Sequence, residues 1–348
     1  MRMDRRAGLL MLRKKQLSYY GTATALGTAR AWFAGASNGS YAIFAGGHNN
    51  NSMSPGTGTF DAVDAYSATL VHSTPAQALS TTRKNLAAAS VGNYALFAGG
   101  AASASSYRNT VDAYDTSLVR STPTQALSVA RQALAGASNG AYAVFAGGAN
   151  SSNQSTVDAY DSSLVRSTPT ALGSTMRYHA GASVGNQAIF AGNGNSAQAY
   201  VYAYNSALTR TTPTELSAAR GFLAGASDGK HAIFAGGGDG SLSSTNSYSS
   251  VVDAYDKDLI RTIPQVLSVA RQRLAGASQD GYAIFAGGTT GSVSKVVNAY
   301  DDELMRYTPT SLSVARMGLA GASVGTYALF AGGYGSAISG AVDVYQVA

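Results

Sequence analysis

The phrase LSVARQALAGASNGAYAVFAGG, residues 127–148, is written repeatedly along this chain. Close variants occupy 79–100, 267–288 and 312–333, and weaker ones lie near 26, 172 and 216. Aligned on the aromatic residue that opens the Phe-Ala-Gly run, seven copies place Phe44, Phe97, Phe145, Phe190, Phe234, Phe285 and Phe330 at spacings of 44 to 53 residues. Such a repeat is a supersecondary unit that cannot bury its own apolar face, so neighbouring copies must stack. A period of roughly 40 to 50 residues fits a propeller or a solenoid.

Each unit reads as four short extended segments. Strand A is ALAGAS (133–138), turned by Asn139-Gly140, a pair suited to a tight hairpin. Strand B, YAVFAG (142–147), carries large residues on both faces, as expected of a strand buried between two layers. Strand C is VDAY and strand D is LVRST, joined by an Asp/Ser turn whose side chains can bond nearby amides. The surplus of Ala and Gly lets backbones crowd together near an axis.

The two ends complete each other. The last copy stops after strand C at Val342-Asp343-Val344-Tyr345, whereas LSYYGTATALGTAR (17–30) aligns without gaps to LVRSTPTQALSVAR (118–131). The reading is therefore an all-β, seven-bladed propeller of four-stranded blades, in which Leu17–Thr22 supplies the outermost strand of the last blade. Such closure removes an open edge. The ring occupies 17–348 and is preceded by a basic arm, 1–16.

The order Arg, small-residue strand, turn, aliphatic-aromatic strand ending Gly-Gly, variable loop and V-D-x-Y-D resembles the kelch repeat from Leu17 onward. Two departures stand out. The Trp usual in the outermost kelch strand is replaced by Leu70, Leu118, Leu164, Leu208, Leu259 and Leu304. Blade four has Met176 for the Arg, Asn193 for the second Gly and Tyr202 for the Asp.

Composition narrows the chemistry. Charged residues are 12% of the 348, about half the usual share. With no Cys, disulfides, thiol nucleophiles and Cys-based metal sites are excluded together. The arm holds six of the 24 basic and one of the 18 acidic residues, or +5 of the +6 net charge. The ring is thus nearly neutral and lacks the basic stripe that nucleic acid requires. In the arm, the apolar run Ala7–Leu12 is too short for a secretory signal, runs into Arg13-Lys14-Lys15, and is far too short to span a bilayer. Synthesis in the cytoplasm is expected.

Candidate sites follow the repeat. Arg30, Arg83, Arg131, Arg220, Arg271 and Arg316 recur where strand D crosses to strand A. They serve either as clamps on the carbonyls of an adjoining blade or its Asp, or, as kelch arginines near the channel mouth imply, as ligands for an anion. The recurrent Asp64, Asp112, Asp158, Asp253 and Asp343 read as structural partners rather than as a ring of acids. The four His fall at different repeat positions and suggest no metal site. The B–C loops, 48–62, 101–110, 149–156, 194–200, 238–251, 289–296 and 334–341, combine Asn, Ser, Gly and Thr with Tyr107, Tyr200, Tyr248 and Tyr334, a mix suited to protein or glycan recognition. Arg5, Arg6, Leu9, Leu10, Leu12, Arg13, Lys14 and Lys15 are the candidate assembly contacts of the arm.

The leading expectation is a non-enzymatic binding or structural propeller without cofactor. Its Ala/Gly/Ser/Thr-rich repeats look like those of bacterial and bacteriophage kelch proteins, which implies a virion tail, baseplate or capsid-associated component. In that role the arm docks to a larger assembly and the loop face meets a receptor. Kelch-type sugar-modifying enzymes of the epimerase kind, and a cytoplasmic scaffold, are the alternatives; the copper oxidases of the family need a Cys that this chain lacks.

Overall fold

The computed structural model describes residues 15–49, 58–194, 196–239 and 248–348. Among them, every regular element is a strand, and the strands form seven four-stranded antiparallel sheets. Blade one runs from strand A (Ala34–Ser37) through B (Tyr41–Ala45) and C (Val63–Ser67) to a two-residue strand D (His72–Ser73). Blades two to six repeat that order. Blade seven takes strands A to C from Ala320–Val324, Tyr327–Ala331 and Val342–Val347, and its strand D from Leu17–Ala23. Leu17 faces Val347 and Ala23 faces Val342, with a bulge between Tyr19 and Gly21. The N-terminal segment therefore closes the ring. With seven residues, it is longer than the two-residue outer strands of the other blades, whose brevity leaves little unpaired backbone at the rim.

The core lies between blades, not within them. Ile43, Ala45, Val63 and Ala65 of blade one pack against Ala95, Phe97 and Tyr114 of blade two. The opposite face of blade one, with Phe44 and Tyr66, packs on Leu329, Val342 and Val344 of blade seven. Five similar clusters complete the circle. This is why strand B carries large residues on both faces. In every blade the strand B Phe meets the strand C Tyr edge to face, as Phe97 and Tyr114 do at 6.1 Å. The Tyr hydroxyl donates to the carbonyl of the connector that crosses from the preceding blade: Tyr66 to Thr24 at 2.8 Å, Tyr345 to Thr310 at 2.7 Å.

Near the axis the strands A are almost in backbone contact. A Cβ at Gly136, Gly181, Gly225, Gly276 or Gly321 would fall 2.2–2.3 Å from the carbonyl oxygen of the preceding blade. Only hydrogen fits at these five positions, while blade two carries Ala88 at the same register. The A–B turn behaves as its sequence asks: Gly140 takes a positive φ, and Asn139 Oδ1 accepts the Tyr142 amide at 2.8 Å. The C–D turn likewise has Asp115 Oδ1 accepting the amides of Ser117 and Val119 at 2.8 and 2.9 Å. The leucines expected in the outermost strands sit instead in this turn, Leu118 at φ 60°, and pack onto the inter-blade clusters.

Removing residues 1–23 strips the outer strand from blade seven and leaves Val342–Val347 as a long exposed edge. We expect a lowered Tm and aggregation on size exclusion; a truncated ring as monomeric and as heat-stable as its parent contradicts closure by Leu17–Ala23.

Candidate functional site

The six repeated arginines are fully buried, each with at most 1% of its surface exposed. In five blades the guanidinium pairs with the strand C carboxylate of its own blade: Arg30–Asp64 at 2.6 Å, Arg83–Asp112 at 2.6 Å, Arg131–Asp158 at 2.9 Å, Arg220–Asp253 at 2.8 Å and Arg316–Asp343 at 2.7 Å. Each also donates to the strand B carbonyl of that blade, as Arg30 does to Phe44 at 2.9 Å. The same carboxylates accept connector amides: Gly27 to Asp64 at 2.8 Å, Ser128 to Asp158 at 3.0 Å. Arg and Asp thus pin the incoming connector across the top of its blade. The expected partners in an adjoining blade, and the expected position at an open mouth, give way to this clamp within one blade. Burial lowers the pKa of Arg30, Arg83, Arg131 and Arg220, and the paired carboxylate opposes that fall. For Asp64, burial acts upward, but Arg30, the Gly27 amide and His72 together hold it below its ordinary value.

Two blades vary the clamp. In blade four, Met176 and Tyr202 replace the ion pair jointly and share one apolar cluster. Gly173 makes room, since a Cβ there would meet the Tyr202 ring and hydroxyl at 2.8 Å. The blade-four departure is a concerted swap of a buried ion pair for packed apolar volume, an exchange that is often neutral or stabilising. In blade six the partner is neutral: Arg271 donates to Asn298 Oδ1 at 2.9 Å. Burial there pushes the guanidinium down to about 10.

Two residues beyond the Arg position the seven copies disagree completely: Trp32, Asn85, Ala133, Tyr178, Phe222, Arg273 and Gly318. The structure brings these residues together around the axis. Their backbones form a closed belt in which each amide donates to the carbonyl of the preceding member, Trp32 to Gly318 at 2.9 Å and so on to Gly318 donating to Arg273 at 3.2 Å. All seven have positive φ, from 50° at Tyr178 to 63° at Gly318. For a bulky L-residue this costs roughly 1–2 kcal/mol each, which the belt and the surrounding packing offset.

The belt residues line a cavity of about 260 Å³, floored by Leu86, Leu134, Leu223, Leu274 and Leu319 with His179 among them. Tyr178 and Phe222 stack at 4.7 Å. The Arg273 guanidinium lies 5.5 Å from the Phe222 ring centre and 5.9 Å from that of Trp32. Burial lowers its pKa. Gly318 is small because Trp32 covers it: a Cβ would meet the indole at 3.0 Å. His179 is 7% exposed, and burial pushes its imidazole down to about 3, so it is neutral. The sequence reading missed this belt. Its signal was variability at one fixed position inside an otherwise repeated phrase.

The B–C loops open on the same face, because each begins by pairing with the residue just before the belt: Ala31 with His48, Lys84 with Ala101, Gly221 with Gly238. Tyr107 pairs with Ala101, Tyr248 with Gly238 and Tyr334 with Met317. Tyr107 and Tyr248 come near enough to bear electrostatically on Tyr178 and Arg273. Tyr200 is not in a loop. It belongs to strand C of blade four, Gln198–Tyr204, and packs beside the cluster of Met176 and Tyr202. Blade four replaces the expected loop with a hairpin, Asn193 facing Gln198.

Of the candidate arm contacts, Lys15 alone is described; Arg5, Arg6, Leu9, Leu10, Leu12, Arg13 and Lys14 lie outside the described residues. Lys15 pairs with Asp280, and its carbonyl accepts the Tyr282 hydroxyl at 2.9 Å. The Gln16 amide donates to the Ala348 carbonyl at 2.9 Å. Among the described residues, Lys15 and Gln16 thus join the ring ahead of strand D.

Among the described residues, no helix is long and apolar enough to cross a membrane, and no cluster of His, Asp or Glu has the arrangement of a metal site. No protein-family model matches the sequence, and no curated protein matches it. The fold is similar to the solved structure of YjhT, with a TM-score of 0.58 and 13% identity over 76% of this chain and 98% of that one. At that identity the likeness concerns the fold alone.

The clamp yields two stability tests by thermal melting. Arg131→Met leaves Asp158 buried without its guanidinium and should cost about 3–5 kcal/mol. Adding Asp158→Tyr and Ser128→Gly copies the blade-four arrangement and should recover most of the loss; a triple variant no better than the single one refutes the concerted-swap account. Asn298→Asp supplies Arg271 with the missing carboxylate and should stabilise by about 1–3 kcal/mol, so a lowered Tm argues against it.

Proposed function

We propose that this chain is a non-enzymatic recognition propeller that binds a protein or glycan partner through the face bearing the belt and the B–C loops. One observation carries the reading: the repeats agree wherever blades pack and differ at the belt position and in the B–C loops, which open on one face. Variation confined to one surface of an otherwise repeated scaffold is how recognition surfaces are built on rigid folds. The repeated strand C carboxylates support binding over acid–base chemistry, since Asp64, Asp112, Asp158, Asp253 and Asp343 are buried and held by arginines.

The basic arm fits a docking role in a larger assembly, for which a kelch-like bacteriophage virion component is the setting we favour. The arm carries most of the net charge, so attachment to an acidic neighbour should weaken as salt rises. Removal of residues 1–14, which spares the Lys15 and Gln16 contacts, should leave Tm within about 1 °C, an expectation for loss of surface charge alone, and abolish incorporation into the native assembly as seen by electron microscopy. Normal incorporation of the truncated protein overturns the docking role. Replacing loops 101–110 and 289–296 with the 149–156 sequence should keep Tm but abolish attachment to the partner or receptor surface; unchanged attachment overturns the loop-face reading.

A further inference from the structure

We propose that the axial cavity is a binding site for a small carboxylate with a flat apolar body, the carboxylate meeting Arg273 and the body packing on Trp32. This goes beyond the loop-face reading and does not depend on it, since a small ligand on the axis needs none of the loop contacts that a large partner would use.

The cavity leaves polar atoms unsatisfied. Polar atoms removed from water are almost always hydrogen-bonded, and exceptions call for an explanation. Two side chains lining this cavity hold such exceptions: Trp32 Nε1 and Arg273 Nε are buried without a hydrogen-bond partner among the described residues, the latter in common with five of the six clamp arginines. His179, at a position that is Leu in five other blades and Phe33 in one, is held by the Ala146 backbone and, being neutral, leaves the charge of the site to another residue.

Arg273 supplies the charge. Five of the six clamp arginines have carboxylates and the sixth has Asn298, whereas the partly buried Arg273, among the described residues, meets the faces of Phe222 and Trp32, with Tyr248 and Tyr178 nearby, and no carboxylate. Those rings attract the cation but are poor acceptors for its five N–H donors. A carboxylate matches the planar fork of a guanidinium with two parallel hydrogen bonds. The neighbouring cation, Arg177, is already stacked on Tyr178 at 5.7 Å, so the cavity offers one uncommitted positive charge and suits a monoanion. The walls choose the body of the ligand. The indole of Trp32 and the Tyr178–Phe222 stack are flat apolar surfaces above a leucine floor, and about 260 Å³ admits a single ring with a short acidic arm.

Trp32 is the only tryptophan of the chain, so its emission reports the site directly. Full-length protein titrated with phenylacetate should show a saturable change in Trp32 emission. Phenylacetamide, which lacks the charge, should bind roughly tenfold or more weakly, and acetate, which lacks the ring, should produce no change over the same range. Arg273→Gln should erase the difference between acid and amide, while Arg273→Lys should retain part of it. Melting curves establish that each variant is folded. If Arg273→Gln does not fold, transfer of magnetisation from phenylacetate protons to the Trp32 indole in the unaltered protein replaces it. Absence of saturable binding, an amide that binds as tightly as the acid, a preference that survives in folded Arg273→Gln, or no transfer to the indole overturns the proposal. The loop-exchange and arm-truncation results would stand in any of those cases.

Discussion

A blade with apolar residues on both faces has no favourable existence alone, and that constraint organises the whole molecule. Phe44 and Tyr66 need the Leu329–Val342–Val344 surface of blade seven, just as Ile43 and Val63 need Phe97 and Tyr114 of blade two. Stacking in a line would leave two such faces in water. Closing the line into a ring leaves none, so the position of Leu17–Ala23 beside Val342–Val347 follows from the apolar accounting as much as from strand pairing. The mid-strand glycines then set how tightly the ring can close, because the inner strands meet with a carbonyl oxygen where a side chain would otherwise stand.

Ring closure creates a second problem at the connectors, which must cross from the outer edge of one blade to the axis of the next. The buried Arg–Asp pair solves it by gripping the connector at two points: Asp158 holds the Ser128 amide and Arg131 holds the carbonyls of Phe145 and Gly147. An ion pair is an expensive grip because both charges are desolvated. The Met176–Tyr202 pair of blade four shows that packing alone can hold a connector, provided Gly173 yields space for the larger ring. The clamp therefore fixes geometry more than it adds stability, and what it fixes is the start of the belt two residues later.

The architecture was readable because each level of the sequence repeats. Period, hairpin turn, double-faced strand B and the gapless match of 17–30 to 118–131 all require the same ring. The arginines were harder to place. A repeated Arg beside a channel satisfies a ligand reading and a clamp reading equally, and only depth separates the two, since the Arg and Asp of one clamp lie 27 to 34 residues apart in the chain. Tyr200 was misplaced for a related reason: blade four drops its loop, and the strand extends into residues that are loop in its neighbours. The belt escaped notice because repeat analysis weighs agreement, and here the informative position is the one where copies disagree.

That disagreement is itself a physical argument. Seven backbones at positive φ would be served at least cost by seven glycines, and Gly318 shows that glycine is compatible with the belt. Trp32, Tyr178, Phe222 and Arg273 accept the left-handed conformation instead. Packing against one another offsets part of the strain, as the Tyr178–Phe222 stack and the rings around Arg273 do. It does not explain why one member is a cation that, among the described residues, meets aromatic rings and no carboxylate. A structure built for stability alone has no use for such a group in a cavity lined with indole and phenyl rings. It is accounted for by a ligand that brings its own negative charge to the axis.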